Sequence, residues 1–221
     1  MKLLAIDCSA GLCAACLHDA AADRELGRAE HLAGVVEEAM ERAGLAFSDL
    51  GAIAVSVGPG SFTGLRVGVS AARGYALALG IPAIGVTTLE AIAAEARGHA
   101  GPVNVLAALD GGRGELQASV YGVQGEALFA PAVITLDQAT ALAREFSARL
   151  AGTAAEQIAA ALQASHLVCG PLAATADIGV DARLAAGKKP AEKPKPLYLR
   201  EPDAKPQAGF ILPRTGHGQG G

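Results

Sequence analysis

The sequence predicts a two-lobed α/β fold built by duplication, and three observations carry that prediction. Leu4-Ala5-Ile6-Asp7 and Ala107-Ala108-Leu109-Asp110 each end an apolar strand on an aspartate and lead through a turn into a second strand. Strand-length apolar runs alternate along the chain with segments of helical period. The core-forming residues are mostly small: 51% of the chain is hydrophobic, only 4% is aromatic, and there are 28 glycines. Layers must therefore pack through Ala, Val, Leu and Ile with close backbone approach.

The elements follow in order. Lys2–Asp7 reads as a strand, Ser9-Ala10-Gly11 as a turn, Cys13–His18 as a second strand and Glu25–Arg28 as a third. Residues 31–43 place Leu32, Val35, Val36, Ala39, Met40 and Ala43 on one face and Glu37, Glu38, Glu41 and Arg42 on the other, with Gly44 as the stop. That is an amphipathic helix with a C′ glycine. A strand over Ile53–Val57 enters the Gly58–Arg66 turn, followed by a helix over Thr63–Leu79. Ile81–Val86 is the next strand, and Thr87-Thr88-Leu89-Glu90 opens a helix with a capping-box pattern. The second half repeats the opening with strands over Val103–Asp110 and Leu116–Tyr121. Helices over 137–150, 153–164 and 171–186 and a short strand over His166–Gly170 follow. The expected organisation is an N-terminal lobe over 1–102, a C-terminal lobe over 103–187, and a linker and tail over 188–221. Paired Asp-bearing hairpins of this kind are the arrangement of the actin-like ATPase and sugar-kinase (ASKHA, ribonuclease H-like) fold.

Composition excludes several classes. A net charge of −4 without a basic stripe argues against unaided nucleic-acid binding. The Lys/Pro-rich stretch 188–196 reads as a solvated linker. No apolar run reaches the roughly 18–20 residues that span a bilayer, and Asp7 interrupts the opening where a signal peptide needs apolar residues. A soluble cytoplasmic protein is expected. Cys8, Cys13 and Cys16, with Cys169 downstream, match the plant-type iron–sulfur spacing. However, Cys13–Leu17 reads as a strand that sends Cys13 and Cys16 to opposite faces, so free thiols are expected.

Gly58-Pro59-Gly60-Ser61-Phe62-Thr63-Gly64-Leu65-Arg66 is the most informative stretch. Such a turn either offers backbone N–H groups to an anion at a helix start or lets another surface approach closely. From Leu65 to Leu79 the only charges are Arg66 and Arg73, so the helix is buried around most of its circumference. Gly64, Gly68 and Ala72 make a smooth strip that meets either this chain's own core or a partner subunit. The candidate partner surface is Gly64, Leu65, Gly68 and Ala72 with Leu32, Val35, Val36, Ala39 and Met40. Candidate phosphate contacts are Asp7, Ser9, Gly60, Asp110 and Gly111, although an aspartate that caps a turn is the plainer reading of both acids. There is no Walker motif, the histidines are scattered, and Ser61 is misplaced by one for a nucleophile elbow. It reads instead as a helix-start residue. No catalytic residue and no metal ligand set is assigned.

These residues resemble the TsaB (YeaZ) family of bacterial tRNA-modification proteins. The likeness rests on Leu4–Asp7, Leu45–Leu50, Gly58–Arg66, Ala78–Pro82, Gly85–Ala91, Leu109-Asp110 with Arg113–Glu115, and Pro196–Arg200. The resemblance implies an actin-like fold and a role beside the paralogue TsaD. TsaD transfers threonylcarbamoyl from an adenylate to the adenosine next to the anticodon of tRNAs reading A-starting codons. It also implies TsaE as a further partner and tRNA contact only through the complex; a homodimer in isolation is expected because exposed apolar helices favour pairing. No cofactor of its own is implied, with ATP or ADP at the complex interface. Where TsaD carries two metal-ligand histidines, this sequence has Thr88 and Ile92, neither a usual ligand. The expectation is a non-catalytic subunit. The alternative is a nucleotide-dependent phosphotransferase or ATPase centred on Asp7 and Asp110.

Overall fold

The computed structural model describes residues 1–31, 34–190 and 192–200. Strands β1 (Lys2–Asp7), β2 (Cys13–Asp19) and β3 (Arg24–His31) form an antiparallel meander. Helix α1 (Val35–Ala43), strand β4 (Leu50–Gly58), helix α2 (Phe62–Leu79) and strand β5 (Ala83–Thr87) follow, and they add β4 and β5 in parallel to β1. The resulting five-stranded order is β3-β2-β1-β4-β5. Helix α3 (Thr88–Ala100) leads to a second meander of β6 (Val105–Asp110), β7 (Glu115–Tyr121) and β8 (Ala127–Thr135). Helix α4 (Leu136–Glu145) and strand β9 (Arg149–Ala151) then give the order β8-β7-β6-β9, with β9 parallel to β6. Helices α5 (Ala155–Leu162) and α6 (Ile178–Gly187) complete the described part.

The two sheets share one plan. β6, β7, β8 and β9 stand where β1, β2, β3 and β4 stand in the first sheet, so the fold is the duplicated actin-like α/β fold that the sequence predicts. One face of the first sheet packs on α1 and α2 through Leu4, Ile6, Ile53, Val55, Val36, Met40, Val69 and Ala72. Its other face packs on α6 through Leu3, Ala5, Ala52, Ala54, Ile84, Ile178 and Val180. Residues 171–186, read as a helix of the second lobe, are thus helical only from Ile178, and that helix lies against the first sheet. The physical reason is supply of apolar surface: Leu3, Ala5 and Ala52 need a cover that α1 and α2, on the opposite face, do not provide.

Other boundaries also moved. The helix expected from 31 begins at Val35, because His31 closes β3 opposite Cys13; Leu32 lies outside the described residues. The helix expected to 150 ends at Glu145, where Ser147 takes a left-handed backbone (φ 47) and Arg149–Ala151 turns into β9. Strand β8 was not read from the sequence. Pro131 interrupts its pattern, which an edge strand tolerates because its outer N–H groups need no partner. His166–Gly170 contributes only a bridge at Val168 to Leu150.

Candidate functional site

The glycine turn is filled by the chain itself. Ser61 caps α2 by accepting from the Gly64 N–H at 3.2 Å, the expected role of a helix-start serine. Its own N–H donates to the Ser9 carbonyl at 2.8 Å. A Cβ on Gly60 would stand 2.6 Å from that same carbonyl oxygen, and one on Gly64 would stand 1.9 Å from the Cys8 carbonyl oxygen. The turn is therefore glycine-rich because the tip of the β1–β2 hairpin presses into it. Of the two roles open to it, close approach is the one the geometry shows, and the surface that approaches is this chain's own.

Beside the turn, Leu197 donates its N–H to the Val57 carbonyl at 2.7 Å. This lays Tyr198 on Phe62 with ring centroids 5.0 Å apart, and the Arg66 guanidinium sits 4.6 Å over the Phe62 ring.

The hairpin acids are equivalent in backbone and opposite in environment. Asp7 Oδ1 accepts from the Ser9 N–H at 2.7 Å, and Asp110 Oδ1 accepts from the Gly112 N–H at 2.7 Å. Both are Asx-type turns at the end of the first strand of their lobe. Asp7 is buried; Asp110 is exposed. Burial raises the Asp7 carboxyl above its usual range, against the lowering effect of hydrogen bonds from Ser9 and Ser56. Over it lies Asp181 of α6, which accepts from Ser56 Oγ at 2.9 Å. Burial first, and the neighbouring Asp7 second, hold Asp181 well above the carboxylate range. Ser9 and Asp7 thus sit inside the packed face of the sheet. Gly60 is occupied by the Ser9 carbonyl. Gly111 donates to the Glu115 carbonyl at 2.9 Å in the exposed second turn.

The residues expected to meet a partner face inward. Val35, Val36, Ala39, Met40 and Ala72 belong to the core between the helices and the first sheet, and Leu65 and Gly68 are buried as well. Gly64 is half-buried under the Cys8 carbonyl. This is the own-core alternative of the two left open by the sequence. The outward stripe of α2 is instead Thr63, Val67, Ser70, Gly74 and Leu77. Val67 is 55% and Leu77 81% exposed, and a Cβ on Gly74 would meet nothing within 4 Å. Its spacing alternates four and three residues, the seam period of paired helices, but the inward strip is equally free of charge, so the period does not single out the outward one. At its end a groove of about 490 Å³ opens between Arg73, Leu77, Ile81, Pro82, Pro190 and Lys193.

The cysteines depart from the expectation of free thiols. Asp7 pairs with Ala14 in the β1–β2 register, which puts Cys8 opposite Cys13, and these two are joined by a disulfide with a Cα–Cα distance of 4.2 Å. Cys16 is buried, its Sγ 3.5 Å from Glu25 Oε2, and Cys169 is half-buried. No group of three or more His, Cys, Asp or Glu among the described residues is placed to hold a metal ion.

Solved structures share this fold. YeaZ from Pseudomonas aeruginosa superposes with a TM-score of 0.55 at 32% identity, covering 62% of this chain and 68% of that one. A second structure, described as an uncharacterized protein with similarity to peptidase YeaZ from Pseudomonas aeruginosa, gives 0.66 at 28% identity, covering 90% and 99%. By sequence the chain is 34% identical over 149 residues to the Escherichia coli tRNA threonylcarbamoyladenosine biosynthesis protein TsaB. That match covers 61% of this chain and spans 64% of the Escherichia coli protein. The family model described as "TsaD: tRNA N6-adenosine threonylcarbamoyltransferase" matches residues 26–206. The chain belongs to this family, in its TsaB (YeaZ) branch. Thr88 and Ile92 lie one turn apart on α3, both buried, and Thr88 Oγ1 has no hydrogen-bond partner.

Proposed function

We propose that this chain is a non-catalytic subunit of the cytoplasmic machinery that makes threonylcarbamoyladenosine in tRNA, acting by pairing with a TsaD-type transferase. The observation that carries the reading is the outward stripe of α2. It is long, free of acids, and exposes Val67 and Leu77 fully enough to need a partner. Glu37 and Glu41 of α1 are exposed, and Glu37 acts on Tyr75 of α2, which supplies charge for a basic counterpart. The partner surface is accordingly reassigned from the inward strip to Thr63, Val67, Ser70, Gly74 and Leu77. In this reading a TsaE-type ATPase joins the pair, tRNA is met through the complex, and without its partner the chain self-associates through the same stripe. Any ATP or ADP is held between subunits.

The test is capture of a TsaD-type protein by the full chain, followed by reconstitution of tRNA modification. Leu77→Glu with Val67→Glu is expected to abolish both while leaving the melting temperature within about 4 °C, since each surface change seldom exceeds about 0.5 kcal/mol. Unchanged capture by that double variant removes α2 from the interface. Micromolar nucleotide binding by the chain alone, lost in Asp110→Asn, would favour the phosphotransferase alternative, because Asp110 is the exposed member of the acid pair.

A further inference from the structure

The β1–β2 hairpin tip carries chemistry that the proposed function does not use. Cys8 is buried and Cys13 half-buried, and their disulfide closes the Ser9–Leu12 turn. The closed tip is also the seat of α2. The Cys8 carbonyl rests on Gly64, Ser9 accepts from the Ser61 N–H, and a Cβ on Gly68 would stand 3.5 Å from Cys8 Cβ and 3.7 Å from its Sγ. Beyond the Asp7–Ala14 end of the β1–β2 ladder, this disulfide is the covalent link between Cys13 and the side of the tip that touches the helix. In a reducing compartment such bonds form and break in response to redox state instead of serving as permanent staples.

We propose that Cys8 and Cys13 form a reversible thiol–disulfide site, exchanging with a dithiol reductant, whose state sets how firmly the start of α2 is seated. A thiolate of the reductant attacks Sγ of Cys13, the less buried of the two residues, and a mixed disulfide forms as the Cys8–Cys13 bond breaks. Cys8 leaves as a thiolate and takes up a proton. The second thiol of the reductant then displaces Cys13. Two electrons and two protons pass to the protein, and the dithiol leaves as its own disulfide. The tip meets α2 through the Ser61–Ser9 hydrogen bond and the packing of Cys8 on Gly64 and Gly68; in the reduced state an open turn carries these contacts in place of a cross-linked one. The reducing compartment, and any consequence for a partner on the outer stripe of α2, rest on the function proposed above; the pairing of Cys8 with Cys13 and its effect on the seat of α2 do not.

The test uses the full chain equilibrated in oxidised or reduced dithiothreitol, then denatured and alkylated. The tryptic fragment Leu3–Arg24 contains Cys8, Cys13 and Cys16. It is expected to take one label from the oxidised sample and three from the reduced one. In Cys16→Ser the counts are expected to be zero and two, which separates this pairing from one through Cys16. Amide exchange across Gly60–Val69 is expected to speed up severalfold on reduction, and Cys13→Ser to show the fast rate in both buffers. Three labels under oxidising conditions, or identical exchange across 60–69 in the two states, would overturn the proposal.

Discussion

Three glycines of α2 give the sharpest test of how this fold is held together, because one substitution should act in opposite directions along a single helix. An alanine at Gly64 would bring its Cβ within 1.9 Å of the Cys8 carbonyl oxygen, whereas real Cβ contacts essentially never fall below 3.0 Å. The obstacle is backbone one residue beyond β1, flanked by the Asp7–Ser9 and Ser61–Ser9 hydrogen bonds, and it cannot swing aside as a side chain would. Moving it also strains the adjacent Ser61–Ser9 hydrogen bond. Overpacking of this kind costs about 1–3 kcal/mol and the weakened hydrogen bond about another 1 kcal/mol. Gly68→Ala meets only Cys8 and Val55 side chains at 3.5–3.7 Å, ordinary contact distances, and Gly74→Ala meets nothing within 4 Å. Both keep the helix-propensity gain of about 0.8–1.0 kcal/mol. At about 2–4 °C per kcal/mol for a chain of this size, Gly64→Ala should lower the melting temperature by several degrees. The other two should each raise it by about 2–4 °C. Thermal unfolding followed by circular dichroism, with urea midpoints as a check, decides the matter. If Gly64→Ala proved neutral or stabilising, the seat of α2 on the hairpin tip would be wrong, and with it the reason for the glycine turn.

Further outcomes follow from the charged groups. Asp181→Asn should stabilise the protein at neutral pH by about 1–3 kcal/mol, because it keeps an acceptor for Ser56 and removes one of two adjacent buried carboxyls. The raised native pKa values of Asp7 and Asp181 mean that the folded chain binds protons the unfolded chain has released. Stability should therefore be greatest below about pH 4 for this pair and fall as pH rises through the native values; Asp181→Asn should flatten that slope in pH-dependent urea melts. Arg28 bridges β3 to the N-cap of α6, its guanidinium 2.6 and 2.8 Å from the two Asp177 oxygens, and holds the Asp177 carboxyl below its usual range. That contribution is present at neutral pH and lost as pH falls through the lowered native value. A double-mutant cycle with Arg28→Ala and Asp177→Ala should give a coupling of no more than about 1 kcal/mol, since both groups are partly exposed. Cys16, its thiol pushed up to about 12 by burial and then by Glu25, should resist iodoacetamide at pH 8 in the native state and react fully after denaturation.

Much of the fold could be read from local spacing. The strand–Asp–turn–strand repeat appears in space as two hairpins with the same Asx turn at Asp7 and Asp110. Thr87 and Glu90 form the capping box that their spacing predicts, and Gly44 ends α1 in the left-handed conformation (φ 63). Each of these depends on residues within a few positions of one another. The candidate site was less legible. Around α2 almost every side chain is small or apolar, so periodicity offers two low-charge stripes and no way to choose between them. The choice falls to the Cys8 carbonyl at the hairpin tip and Val55 of β4, both earlier in the chain than the helix.

The pairing of Cys8 with Cys13, the burial of Asp7 against the exposure of Asp110, and the return of α6 to the first sheet are of the same kind. Hairpin register, the docking of a helix encoded some 170 residues later, and the need of Leu3, Ala5 and Ala52 for a cover settle them. Periodicity and turn chemistry act over a few residues and so name the elements; which surface each element buries is a competition among distant apolar faces, won only once the chain is folded.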